Sequence, residues 1–258
     1  MTEEIRNLLS KIEDNTLFDS YPIYFIGGTA LSTYLDHRVS YDLDFISTVK
    51  LPISAIKAFA FSLHARQMID KNASAFRINR GEDLHNFHLK FMVDRIKIEF
   101  SYFGDPMIEV VLNQATFEPY STNSTLKKLS LADIIKLKSI ALLKREKSRD
   151  LFDIAIILEH QLLTIEELER IYSFVQVGDR TLWEYIEGFD PKKNDIGDSS
   201  LDFLPRHKYY KDFAKLTQDE RFEKSKQMLL EQYHAKQKEK LKQKQKELLA
   251  SLKRNSKR

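Results

Sequence analysis

The chain has 258 residues, 42% of them hydrophobic and 31% charged, with a formal net charge of +3. Having no cysteine, it can form no disulfide, zinc–thiolate site or thiol nucleophile, which suits a reducing compartment. No apolar run approaches the roughly 20 residues that span a bilayer. The start, Met1-Thr2-Glu3-Glu4-Ile5-Arg6, lacks the segments of a signal peptide, so the expected location is cytoplasmic with no membrane partner.

Ile5, Leu8, Leu9 and Ile12 fall at helical spacing, which predicts a short amphipathic helix over 3–14. After Pro22, the run Ile23-Tyr24-Phe25-Ile26 reads as a strand that ends in Gly27-Gly28. A helix over Thr29–Leu35, a strand over Leu43–Ile46 and a helix over Ser54–Ile69, capped by Ser54, should follow. Phe87–Phe103 reads as a hairpin turning near Asp94, and its second arm, Ile96–Phe100, alternates apolar and charged residues. Asn113–Thr125 is turn-rich and closes the first domain. From Ser130 one helical pattern runs through Ser148 and Arg149 to about His160, with further helices over Thr164–Val175 and Thr181–Glu187. Residues 190–205 read as a loop, and a helix over 219–253 would be roughly 50 Å long. The expected domains are a core over 1–125, a helical domain over 126–216 and a basic, partly helical tail over 217–258. Ten of the 41 Lys and Arg lie between Ala235 and Arg258 against Glu239 and Glu247, leaving 31 basic and 36 acidic residues elsewhere, a net of −5.

The chemistry concentrates in Asp42-Leu43-Asp44-Phe45. On a strand the two aspartates share one face. About 5 Å apart at an effective dielectric near 20, they repel by roughly 3 kcal/mol, a cost that a bound cation removes. Two carboxylates plus substrate phosphates suit Mg²⁺, or Mn²⁺. Gly27-Gly28, between strand and helix, lets backbone amides approach a phosphate. Glu99 is the best candidate for a third carboxylate, with Asp94 its rival at the hairpin turn. Lys138, Arg145, Arg149 and Asp153, at offsets of 7, 4 and 4, should form one charged stripe on the long helix, facing a triphosphate. His85 and His88 read as strand-surface histidines. Trp183 and the group Tyr209, Tyr210 and Phe213 read as packing residues.

With Gly27-Gly28-Thr29-Ala30-Leu31, Arg38-x-Ser40-x-Asp42-Leu43-Asp44-Phe45 and Lys138 followed by Arg145-x-Lys147-x-Arg149-Asp150-x-x-Asp153, the chain resembles the AbiEii/AbiGii nucleotidyltransferases. These are toxins within the DNA polymerase β-like superfamily. The resemblance implies an α/β (α+β) fold: a mixed β-sheet core flanked by helices, and a C-terminal helical domain. It implies Asp42 and Asp44 as metal ligands, with Glu99 at the third carboxylate's place. Gly27, Gly28, Thr29, Arg38 and Ser40 would line the nucleotide. Lys138, with Arg145 or Arg149, would contact the triphosphate, and Asp150 or Asp153 would support as an acid. The expected activity is transfer of a nucleoside monophosphate from an NTP to an acceptor hydroxyl. RNA, tRNA foremost, is the expected acceptor, and a cognate antitoxin the expected partner. Nucleotidylation of a protein hydroxyl and a non-catalytic nucleotide- or RNA-binding module are the alternatives.

Overall fold

A computed structural model describes residues 1–70, 73–102, 105–175, 178–190 and 216–255. Of these, residues 1–140 belong to one compact unit, and 141–190 with 216–255 to a second. The aromatic group Tyr209, Tyr210 and Phe213 and the expected loop after residue 190 lie outside the described residues, apart from Asp190 itself.

The first unit runs α1 (Glu3–Ile12), α2 (Thr16–Ser20), β1 (Ile23–Ile26), α3 (Gly27–Leu35), β2 (Asp42–Ser47), α4 (Ile53–Ser62) and β3 (Arg66–Gln67). It continues with α5 (Ala73–Arg80), a 3₁₀ turn (Leu84–Asn86), β4 (His88–Val93), β5 (Ile96–Ser101), α6 (Pro106–Asn113), β6 (Phe117–Pro119) and β7 (Lys127–Leu129), then α7 (Leu131–Arg145). Seven strands make one mixed sheet in the order β3-β4-β5-β2-β1-β7-β6. β2 runs parallel to β5 and β1 parallel to β7, and the remaining neighbours are antiparallel. The sheet therefore extends past residue 125, because Lys127 and Lys128 pair with Tyr24 and Phe25.

Alternation along the central strands divides the sheet into two unlike faces. Leu43, Phe45, Leu89, Phe91, Ile98 and Phe100 are fully buried on one of them. There Phe45 stacks on Phe100 at 5.0 Å between ring centroids, Phe18 of α2 approaches Phe45 at 5.3 Å, and Phe59 of α4 meets Phe100 edge-on. Each such phenylalanine stabilises the fold by about 1.5–3 kcal/mol. The opposite face carries Asp42, Asp44, His88, Lys90, Lys97 and Glu99, all half-buried.

Several elements depart from the periodicity. α4 stops at Ser62 rather than Ile69, because His64 takes a left-handed φ of 56° and the chain turns back into β3. Ser54 is not its cap; Pro52 holds that position. The long helix expected from Ser130 is two helices, broken at Glu146, whose φ is 44°. Lys147 is extended there, and α8 (Ser148–Glu159) starts afresh. Lys138 and Arg149 thus lie on different helices, and a single stripe computed through one axis does not exist.

In the second unit α8 is buried almost all round, from Asp150 to Leu158. It packs with α11 (Gln218–Asn255), which also contacts α9 (Ile165–Val175) and α10 (Leu182–Glu187). Trp183 stacks on Tyr233 at 4.0 Å and donates to Glu169 Oε1, so it serves packing as its apolar body suggests. α10 opens on a capping box between Thr181 and Glu184. No helix among the described residues is long and apolar enough to cross a membrane.

Candidate active site

The site starts where β1 becomes α3. Gly27 has φ +83°, and a Cβ there would lie 2.1 Å from Asp44 Oδ2, so only glycine lets the Asp44 carboxylate lie against this turn. A Cβ on Gly28 would lie 2.6 Å from Arg38 Nη2 and 3.2 Å from Ser40 Oγ. Arg38 and Ser40 are both buried and close on the glycine turn from the loop that follows α3. That loop is tied down by Ser32, whose hydroxyl lies 2.9 Å from the Gly28 carbonyl and 3.0 Å from that of Arg38. Thr29 is fully buried and donates its hydroxyl to the Asp42 carbonyl. Its position fastens α3 to β2 rather than offering the hydroxyl to a ligand.

Strand register assembles the acids. Asp44 pairs with Ile26 on one side and with Glu99 on the other, Asp42 pairs with Lys97, and Glu99 in turn pairs with Lys90. A row Lys90–Glu99–Asp44 therefore crosses three strands on one face. Lys97 Nζ sits 3.0 Å from Asp42 Oδ2 and 3.0 Å from Glu99 Oε1. His88 lies 3.7 Å from both Glu99 Oε2 and Asp70 Oδ2, and Lys90 Nζ is 2.8 Å from Asp70 Oδ2. Asp94, the rival acid, is an exposed turn residue with φ 51°.

The electrostatics follow from this crowding. Burial, then repulsion from Glu99 and Asp42, pushes the Asp44 carboxyl up to about 6, against the opposing pull of Lys97 and Lys138. Burial alone would also raise Glu99, but the His88 hydrogen bond and the Lys97 charge outweigh it and hold the group down at about 2. Lys97 is desolvated, yet Glu99 and Asp42 keep its pKa raised. Lys138 is 5% exposed and near enough to act on Asp44.

The donor set fits a hard divalent cation. Asp42 and Asp44 present carboxylate oxygens on one face, and the Lys97 ammonium stands between acids where positive charge is wanted. Among the described residues no three His, Asp or Glu side chains form a closed metal cage. An ion at Asp42 and Asp44 would have to complete its shell from substrate and water, the habit of Mg²⁺.

The other expected residues lie in the second unit. Arg145 forks onto Asp150, with Nε 2.6 Å from Oδ2 and Nη2 2.8 Å from Oδ1. Asp150 and Asp153 are fully buried, and Arg149 is half-buried on α8. Asp150 is thus engaged in holding its neighbour. Sequence reasoning missed Asp70, Lys90 and Lys97 and set His88 aside. The signal was the alternation in His88-Leu89-Lys90 and Lys97-Ile98-Glu99, which turns all four charged side chains toward one face.

A glycine turn clasping the first of several acids on a mixed sheet defines a nucleotidyltransferase core. A presumptive nucleotidyltransferase from Helicobacter pylori has the same fold, with a TM-score of 0.50 and 17% identity over 92% of this chain and 98% of that one. JHP933 from Helicobacter pylori gives 0.49 at 19% identity, over 95% of this chain and 99% of its own. The chain belongs to the family described as nucleotidyl transferase AbiEii toxin, type IV TA system, which it matches over residues 7–250. An uncharacterized protein of Aquifex aeolicus is 26% identical over 174 residues, 66% of this chain and 73% of that protein. Membership makes the protein a nucleotidyltransferase of a toxin–antitoxin family, with a nucleotide substrate and an antitoxin partner.

Proposed function

We propose that the protein transfers a nucleoside monophosphate from an NTP to a hydroxyl of RNA, tRNA foremost, with Mg²⁺ or Mn²⁺ as cofactor. One observation carries the reading: Asp44 and Glu99 are direct cross-strand neighbours, with Asp42 on the same face and Gly27 against Asp44. Asp42 and Asp44 would hold the ion, which supplies Lewis-acid stabilisation of the charge developing on the triphosphate. The amides after Gly27 and Gly28, at the start of α3, would take phosphate oxygens, with Arg38 and Ser40 behind them. Lys138 would offset the negative charge beside Asp44.

The acceptor oxygen forms a bond to the α-phosphorus, the bond from that phosphorus to the bridging oxygen breaks, and pyrophosphate leaves. Glu99 is held ionised by Lys97 and His88. Its low pKa suits a group that orients the acceptor hydroxyl through a hydrogen bond and adds negative charge beside the ion, while the proton passes to water. For Glu99 to reach the ion, Lys97 must release it. Arg145, engaged with Asp150, is given no part in this scheme.

The test is to incubate the protein with Mg²⁺ and each labelled NTP against separate RNA and protein fractions. Label should appear in RNA and vanish in Asp42→Ala. Label in protein alone would move the acceptor to a protein hydroxyl. Absence of both transfer and NTP binding would refute the enzymatic scheme.

A further inference from the structure

We propose that the distal part of α11, beyond its anchor in the second unit, is an arm that binds the RNA phosphate backbone. The inference rests on the RNA reading above only for its choice of polyanion.

α11 changes character along its length. In its first half Phe222, Ser225 and Leu229 are buried, Lys226 donates to the Glu187 carbonyl, and Tyr233 stacks under Trp183. The last fasteners are Lys236 and Lys240, 3.9 and 3.2 Å from Glu166 Oε1. After them every residue from 241 to 250 is exposed. These ten residues extend the helix by about 15 Å. Because they continue an anchored helix they escape the nucleation penalty, and Lys, Gln, Glu, Leu and Ala all favour the helical state.

The arm's charges do not serve folding. Lysine recurs at every second position from Lys236 to Lys246. Such spacing creates the pairs 238/242 and 242/246, one turn apart on one stripe, whose like charges destabilise a helix. Lys236 and Lys240 find Glu166, but among the described residues no carboxylate pairs with Lys238, Lys242, Lys244 or Lys246. A polyanion would turn that repulsion into attraction by displacing counterions. It is also the one partner whose charge the rest of the chain cannot attract, since outside the last 24 residues the chain is net negative. The apolar share is small. Leu241, Leu248 and Leu249 are exposed and no aromatic residue lies between 235 and 250, which is poor equipment for lying in a lipid interface.

The test compares the full chain with a K238Q/K242Q/K244Q/K246Q variant, whose glutamines keep helix propensity. Circular dichroism and thermal melting first establish that the variant retains its fold. Anisotropy with labelled tRNA is then followed across salt concentrations. The variant should bind at least about tenfold more weakly at low salt, and its log–log salt slope should be shallower by about 3. Equal affinity and slope in the two proteins would overturn the proposal. Arm-dependent binding to phosphatidylglycerol vesicles that tRNA does not compete away would overturn it too, in favour of a membrane surface. Transfer of label to protein rather than RNA would refute the acceptor reading, while arm-dependent tRNA binding would still sustain the arm.

Discussion

Asp44 is where fold stability and chemistry oppose each other. Its carboxyl titrates at about 6 in the fold against an ordinary 3.8, so the native state binds more protons between those values. Stability therefore falls as pH rises from about 4 to 6, and the full penalty persists above. Asp44→Asn should melt higher than the parent at pH 7.5 by about 1–2 kcal/mol, a figure discounted for a half-buried group, and should lose its advantage below pH 4. Mg²⁺ should raise the parent's melting temperature at pH 7.5 and leave the variant's unchanged. The glycines separate in the same way. Gly27→Ala puts a methyl 2.1 Å from Asp44 Oδ2 at φ +83°, and should cost about 2 kcal/mol or more together with NTP binding. Gly28→Ala meets first the end of a long arginine side chain, 2.6 Å away, and should cost less. Calorimetry with NTP and melting curves would measure both. Glu99 was legible because strand alternation sets it opposite Ile98 and Phe100. His88 was not, because its meaning lies in a partner across the hairpin rather than in its distance from His85, which sits in a 3₁₀ turn.

Helices and strands obey local rules until a tertiary contact outweighs them. α1, β1, the β4–β5 hairpin, α9 and α10 follow from periodicity, caps and turn residues. The α7–α8 break does not, since Arg145-Glu146-Lys147-Ser148 has nothing a helix would refuse. The left-handed Glu146 fits a chain in which Arg145 folds back onto Asp150 and α8 is buried nearly all round. α11 offers a direct test of which contacts count. Truncation after residue 240 removes only exposed helix and should shift the melting temperature by no more than about 2 °C. Truncation after residue 217 strips Phe222 and Leu229 from the second unit, and should leave that unit unable to melt cooperatively.

At the level of the whole chain, the residues brought together around Asp44 all come from residues 1–140: Gly27, Gly28, Arg38, Ser40, Asp42, Lys97, Glu99 and Lys138. Mg²⁺ with NTP should therefore slow amide exchange over 27–44 and 96–101. Protection confined to 145–153 would contradict that placement. The antitoxin partner that accompanies the family must recognise a chain whose acidic body and lysine-rich last helix differ sharply in charge.

The order of residues alone determined the family, the mixed-sheet core and the pair Asp42 and Asp44, because a glycine turn followed by two acids at strand period is a local pattern. Only the tertiary structure decided which acid stands beside them, that Lys97 bridges Asp42 to Glu99, and that Lys138 and Arg149 belong to separate helices. Those facts depend on strand register and on backbone conformation at one residue, which packing over the whole domain selects and no short window of sequence contains.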